Sequence, residues 1–435
     1  MSKNGKGPTR VVVGVQWGDE GKGAEIDRMC FDPLYEIVLR WAGGNNAGHR
    51  VRVNGQIFNL HQVPVGVILE KIVILGSGMA VNPIALVLDE IQKLRDAEVD
   101  VSKILISDRA SLVMPWHLEE DRLREESSGP GKIGTTKWGI GQCYRDDADR
   151  IGLRTHILTF SQGRFESVVQ TKLDEAVKRL KALYPSFDAE SFVANFPWQK
   201  LENARIYLAP LIIDLPSYIW KAKAEGKGIL LEGAQGAMLD LRYGTYHFVT
   251  SSHPTIAGAL DGSALSAKDI TDVIGITKAY TTRVGLGPFP TRMVPNLEEE
   301  IREQGGEFGT TTGRARDCGW LDLVQLKYAC RLNGVDGLVV TKLDILTGLD
   351  KIQICVAYRV NDKLIDHVPA DLGQVEAIYD TVDGWKENLS DCKKFSDLPP
   401  TCQAYIRKIE AFTGVPVVSI SKGPERADGI NLSLQ

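Results

Sequence analysis

The 435-residue sequence contains no run of about 18 apolar residues and no block of basic residues. The first absence predicts that no helix crosses a membrane. The second, together with a net charge of −5, argues against a nucleic-acid-binding protein, because such proteins carry clustered positive charge. Residues 1–10 lack the apolar core of a signal peptide. We expect residues 1–9 to form a disordered tail.

Cysteine is scarce and scattered: the chain has seven, an odd number, and none has Cys-x-x-Cys spacing. This pattern argues against a disulfide framework and against a zinc site, and it predicts reduced thiols in the cytoplasm. The histidines other than His49 show no metal-ligand spacing either; they are His61, His117, His156, His247, His253 and His367.

Apolar, β-branched segments alternate along the chain with segments of helical periodicity. This alternation predicts an α/β fold with a large, mostly parallel central sheet flanked by helices. We expect one domain over residues 1–435, with a helical insertion at about residues 160–226. Strands are predicted at 11–15, 36–41, 50–53, 56–61, 71–75, 103–107, 228–232, 273–278, 337–340, 351–359, 363–367 and 417–420. Helices are predicted at 25–29, 82–97, 165–184, 203–226, 321–332 and 403–412, and a long glycine-rich loop at 126–143.

The first predicted strand runs into a glycine-rich loop, Gln-Trp-Gly-Asp-Glu-Gly-Lys-Gly (16–23), and then into a helix. This layout is typical of phosphate binding, because glycines let the backbone N–H groups approach the oxygens. Lys22 can neutralise a phosphate. Asp19 is unfavourable beside anions unless it holds a metal or moves a proton. The loop departs from a standard P-loop at Gln16 and Gly23, so an ordinary strand–helix turn remains the alternative.

A second glycine-rich loop, Ala-Gly-Gly-Asn-Asn-Ala-Gly-His (42–49), follows the second predicted strand. In α/β sheets, ligands bind at the carboxyl ends of strands. Asp19 as a base and His49 as an acid would suit proton transfer beside phosphoryl transfer. The alternative is that His49 is structural.

Two further loops carry candidate ligand-binding groups. Thr-Lys-Leu-Asp (341–344) resembles the guanine loop of GTP-binding proteins, in which the carboxylate accepts from the ring and the lysine stem covers the base; a surface ion pair is the alternative. Gly-Thr-Thr-Thr-Gly-Arg-Ala-Arg (309–316) offers hydroxyls and two arginines for carboxylates or phosphates, with a solvated basic loop as the alternative.

Together with further motifs, these loops resemble adenylosuccinate synthetases over nearly the whole chain, from Val11 to Pro424. Besides the loops already quoted, the motifs are Ile-Gly-Thr-Thr-Lys-Trp-Gly-Ile-Gly (133–141), Glu-Gly-Ala-Gln-Gly (232–236), Gly-Thr-Tyr-His-Phe-Val-Thr-Ser-Ser (244–252), Lys-Ala-Tyr-Thr-Thr-Arg-Val-Gly (278–285) and Gly-Trp-Leu-Asp (319–322). The resemblance implies a P-loop-NTPase-like fold.

The resemblance also implies a reaction. GTP phosphorylates the 6-oxygen of IMP, and the amine of L-aspartate then displaces that phosphate, giving adenylosuccinate, GDP and phosphate. The catalytic residues would be Asp19 and His49, and Mg2+ would be held by Asp19 and the carbonyl of Gly48. A homodimer is implied, with Arg150 reaching the IMP phosphate of the other subunit.

The resemblance assigns the remaining site residues by ligand. GTP would contact Gly18, Glu20, Gly21, Lys22, Gly23, Gly48, Arg50, Arg316, Lys342, Asp344, Ser421 and Gly423. IMP would contact Asp19, Lys22, Asn46, His49, Thr136, Arg150, Gln235, Thr250 and Arg314. Aspartate would contact Thr310, Thr311, Thr312, Gly313, Arg314 and Arg316.

Five positions depart from the usual family pattern. They are Ala24 for lysine, Ala42 for glutamine, Arg50 for threonine, His253 for asparagine and Asp317 for arginine. We hypothesise that Arg50 restores the positive charge missing at Ala24. The departures near the purine keep open a ligase that uses GMP or dGMP as acceptor. A non-catalytic GTP-binding protein on this fold is a further alternative, against which the presence of both Asp19 and His49 argues.

Overall fold

The computed structural model describes residues 7–53, 55–127, 129, 134–309 and 313–432. Its centre is an 11-stranded sheet with the order β19-β18-β14-β10-β1-β9-β2-β5-β6-β8, in which β7 also pairs with β5. All the pairs are parallel except β18 with β19. The predicted α/β class with a mostly parallel sheet is therefore confirmed.

The strands of this sheet are β1 (Thr9–Gly14), β2 (Tyr35–Gly43), β5 (Ile72–Val81), β6 (Ile104–Ser107), β7 (Ser111–Leu112), β8 (Ile212–Ile213), β9 (Gly228–Glu232), β10 (Asp272–Lys278), β14 (Gly337–Thr341), β18 (Val417–Ser421) and β19 (Gly429–Asn431). Smaller sheets contain β3 (His49–Val53), β4 (Gln56–Leu60), β11 (Thr281–Arg283), β12 (Asp317–Gly319), β13 (Leu321–Asp322), β15 (Lys351–Val360), β16 (Lys363–Ile365) and β17 (Glu376–Asp383).

The helices flank the sheet. They are α1 (Lys22–Met29), α2 (Pro83–Ala85), α3 (Gln92–Asp96), α4 (Pro115–Ser127), α5 (Ile140–Ala148), α6 (Gln162–Leu183), α7 (Ala189–Ala194), α8 (Trp198–Leu208), α9 (Leu215–Ala224), α10 (Ile256–Ser263), α11 (Pro295–Gly305), α12 (Leu323–Asn333) and α13 (Pro400–Thr413). A π-helical turn joins α2 to α3. No helix in the described part of the chain is both long and apolar enough to span a membrane.

Both faces of the central sheet are covered, as the unbroken apolar runs of its strands require. In β1, Val11 and Val13 pack in the core on one face, whereas Val12 packs in the core on the other. All three side chains are fully buried. The strand begins at Thr9, inside the predicted tail, because Thr9 and Arg10 already pair with β9 and β10.

Several predicted elements are confirmed with shifted bounds. The β3–β4 and β15–β16 hairpins form as expected. Asn82 caps the predicted helix at 82–97, since its side chain accepts from the N–H of Ala85 at 3.0 Å. The predicted strand at 71–75 was too short: β5 continues through Gly76 to Val81.

Two segment predictions were wrong. The helix at 203–226 is interrupted because Pro210 and Pro216 lack backbone N–H groups and β8 pairs with the sheet edge at β6. The long loop at 126–143 is shorter at its carboxyl end, where α5 begins at Ile140. Four helices, α6 to α9, occupy the region predicted as an insertion.

Candidate active site

The loops that follow β1, β2, β9, β14 and β18 converge on one cavity of about 700 Å³. This is the edge at which parallel strands end, the usual ligand edge of an α/β sheet. Residues of the predicted phosphate loop, the second glycine loop and the guanine loop all line it. The sequence therefore placed the loops in one site, although they lie hundreds of residues apart.

Glu20 holds the first glycine loop together from inside. Its Oε1 accepts from the backbone N–H groups of Gln16 at 3.1 Å and Gly18 at 2.8 Å. Its Oε2 pairs with Lys22 Nζ at 2.6 Å, and both side chains are buried. Glu20 was predicted to contact GTP, but its side chain does not reach the cavity wall. It supports the loop and neutralises Lys22.

Asp19 lies at the cavity with a left-handed backbone, φ 59°. Its Oδ2 is 2.8 Å from Arg316 Nε, and about a third of its side chain, 32%, is exposed. Arg316 comes from the loop before β12, so this ion pair joins two predicted site segments. A partly exposed carboxylate facing a cavity is available to a ligand or a cation.

His49, the first residue of β3, is held by two buried residues that the sequence analysis did not single out. Its Nδ1 lies 2.6 Å from Glu232 Oε1 and 2.7 Å from Arg40 Nη2. Arg40 also pairs with Glu232, which accepts from the N–H of Val65 at 2.8 Å. An ionised carboxylate only accepts hydrogen bonds, so Nδ1–H donates to Glu232 and Nε2 is left for a ligand.

The electrostatics of this triad keep His49 neutral. Burial, and then the positive charge of Arg40, lower the pKa of His49 to about 4. Burial alone would raise the pKa of Glu232, but Arg40 and His49 lower it to about 2. A signal for both partners was present in the sequence: each is a charged residue inside a segment predicted as a buried strand.

The residues predicted to bind IMP line the same cavity; they are Asp19, Lys22, Asn46, His49, Thr136, Gln235, Thr250 and Arg314. Gln235 has φ 53°, and neither buried atom of its amide finds a hydrogen-bond partner among the described residues. Leaving such a group unpaired costs about 1–3 kcal/mol. A ligand with polar edges would offset that cost.

Arg150 was also predicted to contact IMP, but it does not line this cavity. It is exposed, has φ 62°, and follows α5 outside the cavity of its own chain. A role across a subunit interface stays a prediction.

The segment predicted to bind aspartate is described only in part. Thr310, Thr311 and Thr312 lie outside the described residues. Arg314 lines the cavity and donates to the carbonyls of Gly134 at 2.8 Å and Thr135 at 3.3 Å. Gly313 has φ 65° and does not line the cavity.

The residues predicted to read guanine line the same cavity. Lys342 has φ 58°, and its Nζ donates to Gly305 O at 2.6 Å and Glu307 Oε1 at 2.8 Å. Burial raises the pKa of Asp344, and its Oδ1 has no hydrogen-bond partner in the described part of the chain. Ser421 and Gly423 complete this wall.

Of the five departures, Ala24 and Arg50 line the cavity, so the hypothesis that one compensates for the other is geometrically open. Ala42 is buried and does not line it. His253 pairs with Asp240 and Asp317 with Arg292, both away from the cavity.

The fold and this site define a class: the loops predicted to bind phosphate and guanine, and the predicted acid–base pair, line one cavity at the carboxyl ends of a parallel sheet, as in α/β enzymes that act on nucleotides. Comparison with known proteins narrows the class. Residues 11–430 match the adenylosuccinate synthetase family. The adenylosuccinate synthetase of Caldanaerobacter subterraneus is 44% identical over 432 residues, covering 97% of this chain and 98% of that protein.

A solved structure agrees with this family. Fully ligated adenylosuccinate synthetase from Plasmodium falciparum matches with a TM-score of 0.90 and 34% identity, covering 97% of this chain and 99% of that one. The chain belongs to the adenylosuccinate synthetase family. It is a purine-biosynthetic ligase that forms a C–N bond, as the sequence predicted.

A cyanophage S-2L succinoaminodeoxyadenylate synthetase bound to dGMP and dATP matches at a TM-score of 0.57 and 16% identity, covering 98% of this chain and 95% of that one. That likeness shows the fold alone. The alternatives with a guanine acceptor or without catalysis are not favoured.

Proposed function

We propose that this protein ligates L-aspartate to IMP at the expense of GTP, with Asp19 and His49 as its catalytic residues. The observation that carries the proposal is that both residues line one cavity together with the residues expected to hold GTP and those expected to hold IMP. Phosphoryl transfer requires the two nucleotides to meet at such a point.

Asp19 accepts the proton from the purine N1, which raises the electron density on the 6-oxygen. That oxygen attacks the γ-phosphorus of GTP, and the bond from this phosphorus to the β–γ bridging oxygen breaks to release GDP. The amine of aspartate then attacks C6, loses a proton, and phosphate leaves. The ion pair with Arg316 orients Asp19 for the first step.

His49 interacts with the transferring phosphoryl group through Nε2. Glu232 orients the ring, because it accepts the proton on Nδ1. Since the phosphoryl oxygens gain negative charge near this nitrogen, they favour the protonated imidazole, which donates to them.

Mg2+ fits the residues present. Asp19 offers a partly exposed carboxylate, and Gly48 lines the same cavity. Among the described residues there is no cluster of three acidic, histidine or cysteine side chains. This fits a cation that takes one or two protein oxygens and completes its shell with phosphates. When bound, Mg2+ neutralises phosphate charge.

Lys22 and the glycine-loop N–H groups hold phosphate oxygens, and Lys342 and Asp344 read guanine. Arg314 and Arg316 receive the aspartate carboxylates, with Thr310 to Thr312 beside them. The protein acts as a homodimer, with Arg150 completing the partner's IMP site. We place it in the cytoplasm; its seven buried cysteines, none in a disulfide, support this.

The test is to incubate the purified protein with IMP, GMP or dGMP, each with GTP or ATP, with and without aspartate, and to identify the products by mass spectrometry. We expect adenylosuccinate with IMP, GTP and aspartate together. Asp19→Asn should abolish ligation while its melting temperature stays near that of the wild type. A succinylated guanine nucleotide, or GTP hydrolysis without aspartate and without a succinylated purine, would refute the proposal.

A further inference from the structure

Glu307 is a fully buried carboxylate at the centre of a cluster of cations. It follows α11, on the turn after Gly306, and does not itself line the cavity. It accepts from Lys278 Nζ at 3.0 Å to each oxygen, from Tyr280 Oη at 2.5 Å and from Lys342 Nζ at 2.8 Å. Arg316 Nη1 is a further donor at 2.5 Å.

Two of these donors belong to different parts of the predicted site. Lys342 stands in the guanine loop after β14, whereas Arg316 contacts Asp19. Glu307 therefore links the base-reading loop to the catalytic carboxylate through one unbroken chain of contacts, Lys342–Glu307–Arg316–Asp19.

Attraction to the charge of Glu307 holds the cluster together. Without the carboxylate, three cations would crowd one buried volume and repel one another. Burial would raise the pKa of Glu307, but Lys278, Lys342 and Arg316 hold it well below its usual range. Burial lowers the pKa of Lys278 to about 8 although Glu307 opposes this. The carboxylate of Glu307 is therefore ionised at neutral pH and holds Lys278, Lys342 and Arg316 in place.

The contacts also fix what each partner presents to the cavity. The ammonium of Lys342 is occupied by Glu307 and by the carbonyl of Gly305. Its aliphatic stem, not its charge, is then the part available to a purine face. Arg316 has Nη1 on Glu307 and Nε against Asp19, so its planar group cannot turn without breaking one of them.

We propose that Glu307 is a positioning residue that couples recognition of guanine to phosphoryl transfer, by holding Lys342 against the base and Arg316 against Asp19. The part of the inference that concerns Arg316 and Asp19 rests on the proposed function. The part that concerns Lys342 and the base involves nucleotide recognition alone, so binding measurements test it without any reaction.

The first experiment measures binding of GDP and ADP by calorimetry to the full-length wild type and to Glu307→Gln, which keeps the shape and removes the charge. We expect the preference for GDP over ADP to fall about tenfold, the effect of losing one charge-assisted contact. The matched control is Glu120→Gln, a buried carboxylate paired with Arg145 and Arg179 outside the cavity. It should keep the GDP preference.

The second experiment measures steady-state kinetics, with GTP and IMP varied in turn while the other two substrates are saturating. In Glu307→Gln the KM for GTP should rise about tenfold and kcat should fall, while the KM for IMP stays within about twofold. A merely structural role would reduce the amount of active protein, but it would move neither KM nor the GDP-to-ADP ratio. Unchanged values of both in folded Glu307→Gln would overturn the proposal.

Glu307→Asp covers the case in which the neutral variant does not fold. It keeps the charge but is one methylene too short to reach Lys342 and Arg316 together, so the same loss of GDP preference is expected. Its retention would overturn the proposal. If the wild type made no adenylosuccinate but its GDP preference still depended on Glu307, the proposed function would fail while the positioning role in recognition stood.

Discussion

At the level of single residues, three buried cations in and around the site are each paired with a buried carboxylate. Lys22 is paired with Glu20, Arg40 with Glu232, and Lys278 with Glu307. The cations around the cavity are thus largely neutralised by these carboxylates before an anionic substrate binds. Burying such pairs is expensive, and their benefit is a set of donors already fixed in place before the substrate arrives.

The neutrality of His49 leads to a prediction about its protonation. Its pKa is about 4 without ligands, so it is uncharged at neutral pH. Phosphate oxygens near Nε2 favour the charged form, so the pKa of His49 should rise by at least about one unit when GDP, IMP and inorganic phosphate bind.

The measurement is an NMR titration of the seven histidines labelled at Cε1, with His49→Asn to assign the signal. Glu232→Gln provides a second test. Because the Glu232 carboxylate raises the pKa of His49, this pKa should fall further in the variant without ligands. A His49 pKa that does not move on binding would contradict the assigned role.

Arg50 carries the second residue-scale prediction. It is exposed at the cavity wall, and its Nε donates to Asn59 at 3.2 Å. If it replaces the charge missing at Ala24, Arg50→Thr should raise the KM for GTP about fivefold, as expected for one partly exposed charge contact. Steady-state kinetics check this, with Arg50→Lys as the charge-retaining control. An unchanged GTP saturation curve in Arg50→Thr would eliminate the hypothesis.

At the level of elements, the sequence predicted those strands and loops that have a local signal in their residue pattern. The strands β1, β9, β10 and β14 and their loops were recognised because apolar runs and strand-end glycines are local signals. The break between α8 and α9 was missed although Pro210 and Pro216 are local signals of it, and β8 itself forms only through pairing with β6. β17 was missed for the same reason: it is half-exposed, and pairing with β15 defines it.

The same limit applies to the site. Asp19, His49 and Lys342 stand in recognisable loops, so their residue types could be interpreted directly. Glu307 and Arg40 act through partners in other segments of the chain. The apolar strand around Arg40 signals that its charge is buried, but no spacing shows which carboxylate pairs with it. Their roles emerge only when the strands are assembled.

Helix α12 allows an element-scale prediction. Its N-cap, Asp322, accepts from Gln325 N at 2.9 Å and from Tyr358 Oη at 2.5 Å, and burial raises its pKa to about 6. The folded state thus binds this proton more tightly than the unfolded chain, with its pKa of about 3.9. The stabilisation is full below about pH 4 and is lost as pH rises through about 6.

Asp322→Asn keeps a capping side chain but does not ionise. Its melting temperature relative to the wild type should therefore increase from about pH 4 to about pH 7, by the equivalent of about 2 kcal/mol. Thermal melts across this range test it. The control is Asp366→Asn, whose parent side chain is 94% exposed and should show no such trend. A difference in melting temperature between Asp322→Asn and the wild type that stays the same from about pH 4 to about pH 7 would contradict the prediction.

At the scale of the whole molecule, the parallel sheet explains how distant loops share one cavity. All its strands but β19 end at the same edge, so the substrates meet where the loops after β1, β2, β9, β14 and β18 converge. Arg150 is excluded from this arrangement, since it is exposed and outside the cavity of its own chain. Its proposed role therefore requires a second subunit.

Mixed dimers test that requirement. In a dimer of one Asp19→Asn chain and one Arg150→Leu chain, one site has lost both residues and the other has both, if Arg150 acts across the interface. Random assembly of equal amounts of the two inactive chains should then recover about a quarter of the wild-type activity, because half the dimers are mixed and each has one complete site. Mixing Asp19→Asn with His49→Asn should recover none, because these two residues act within one chain. If Arg150 served its own chain, the first mixture would be as inactive as the second.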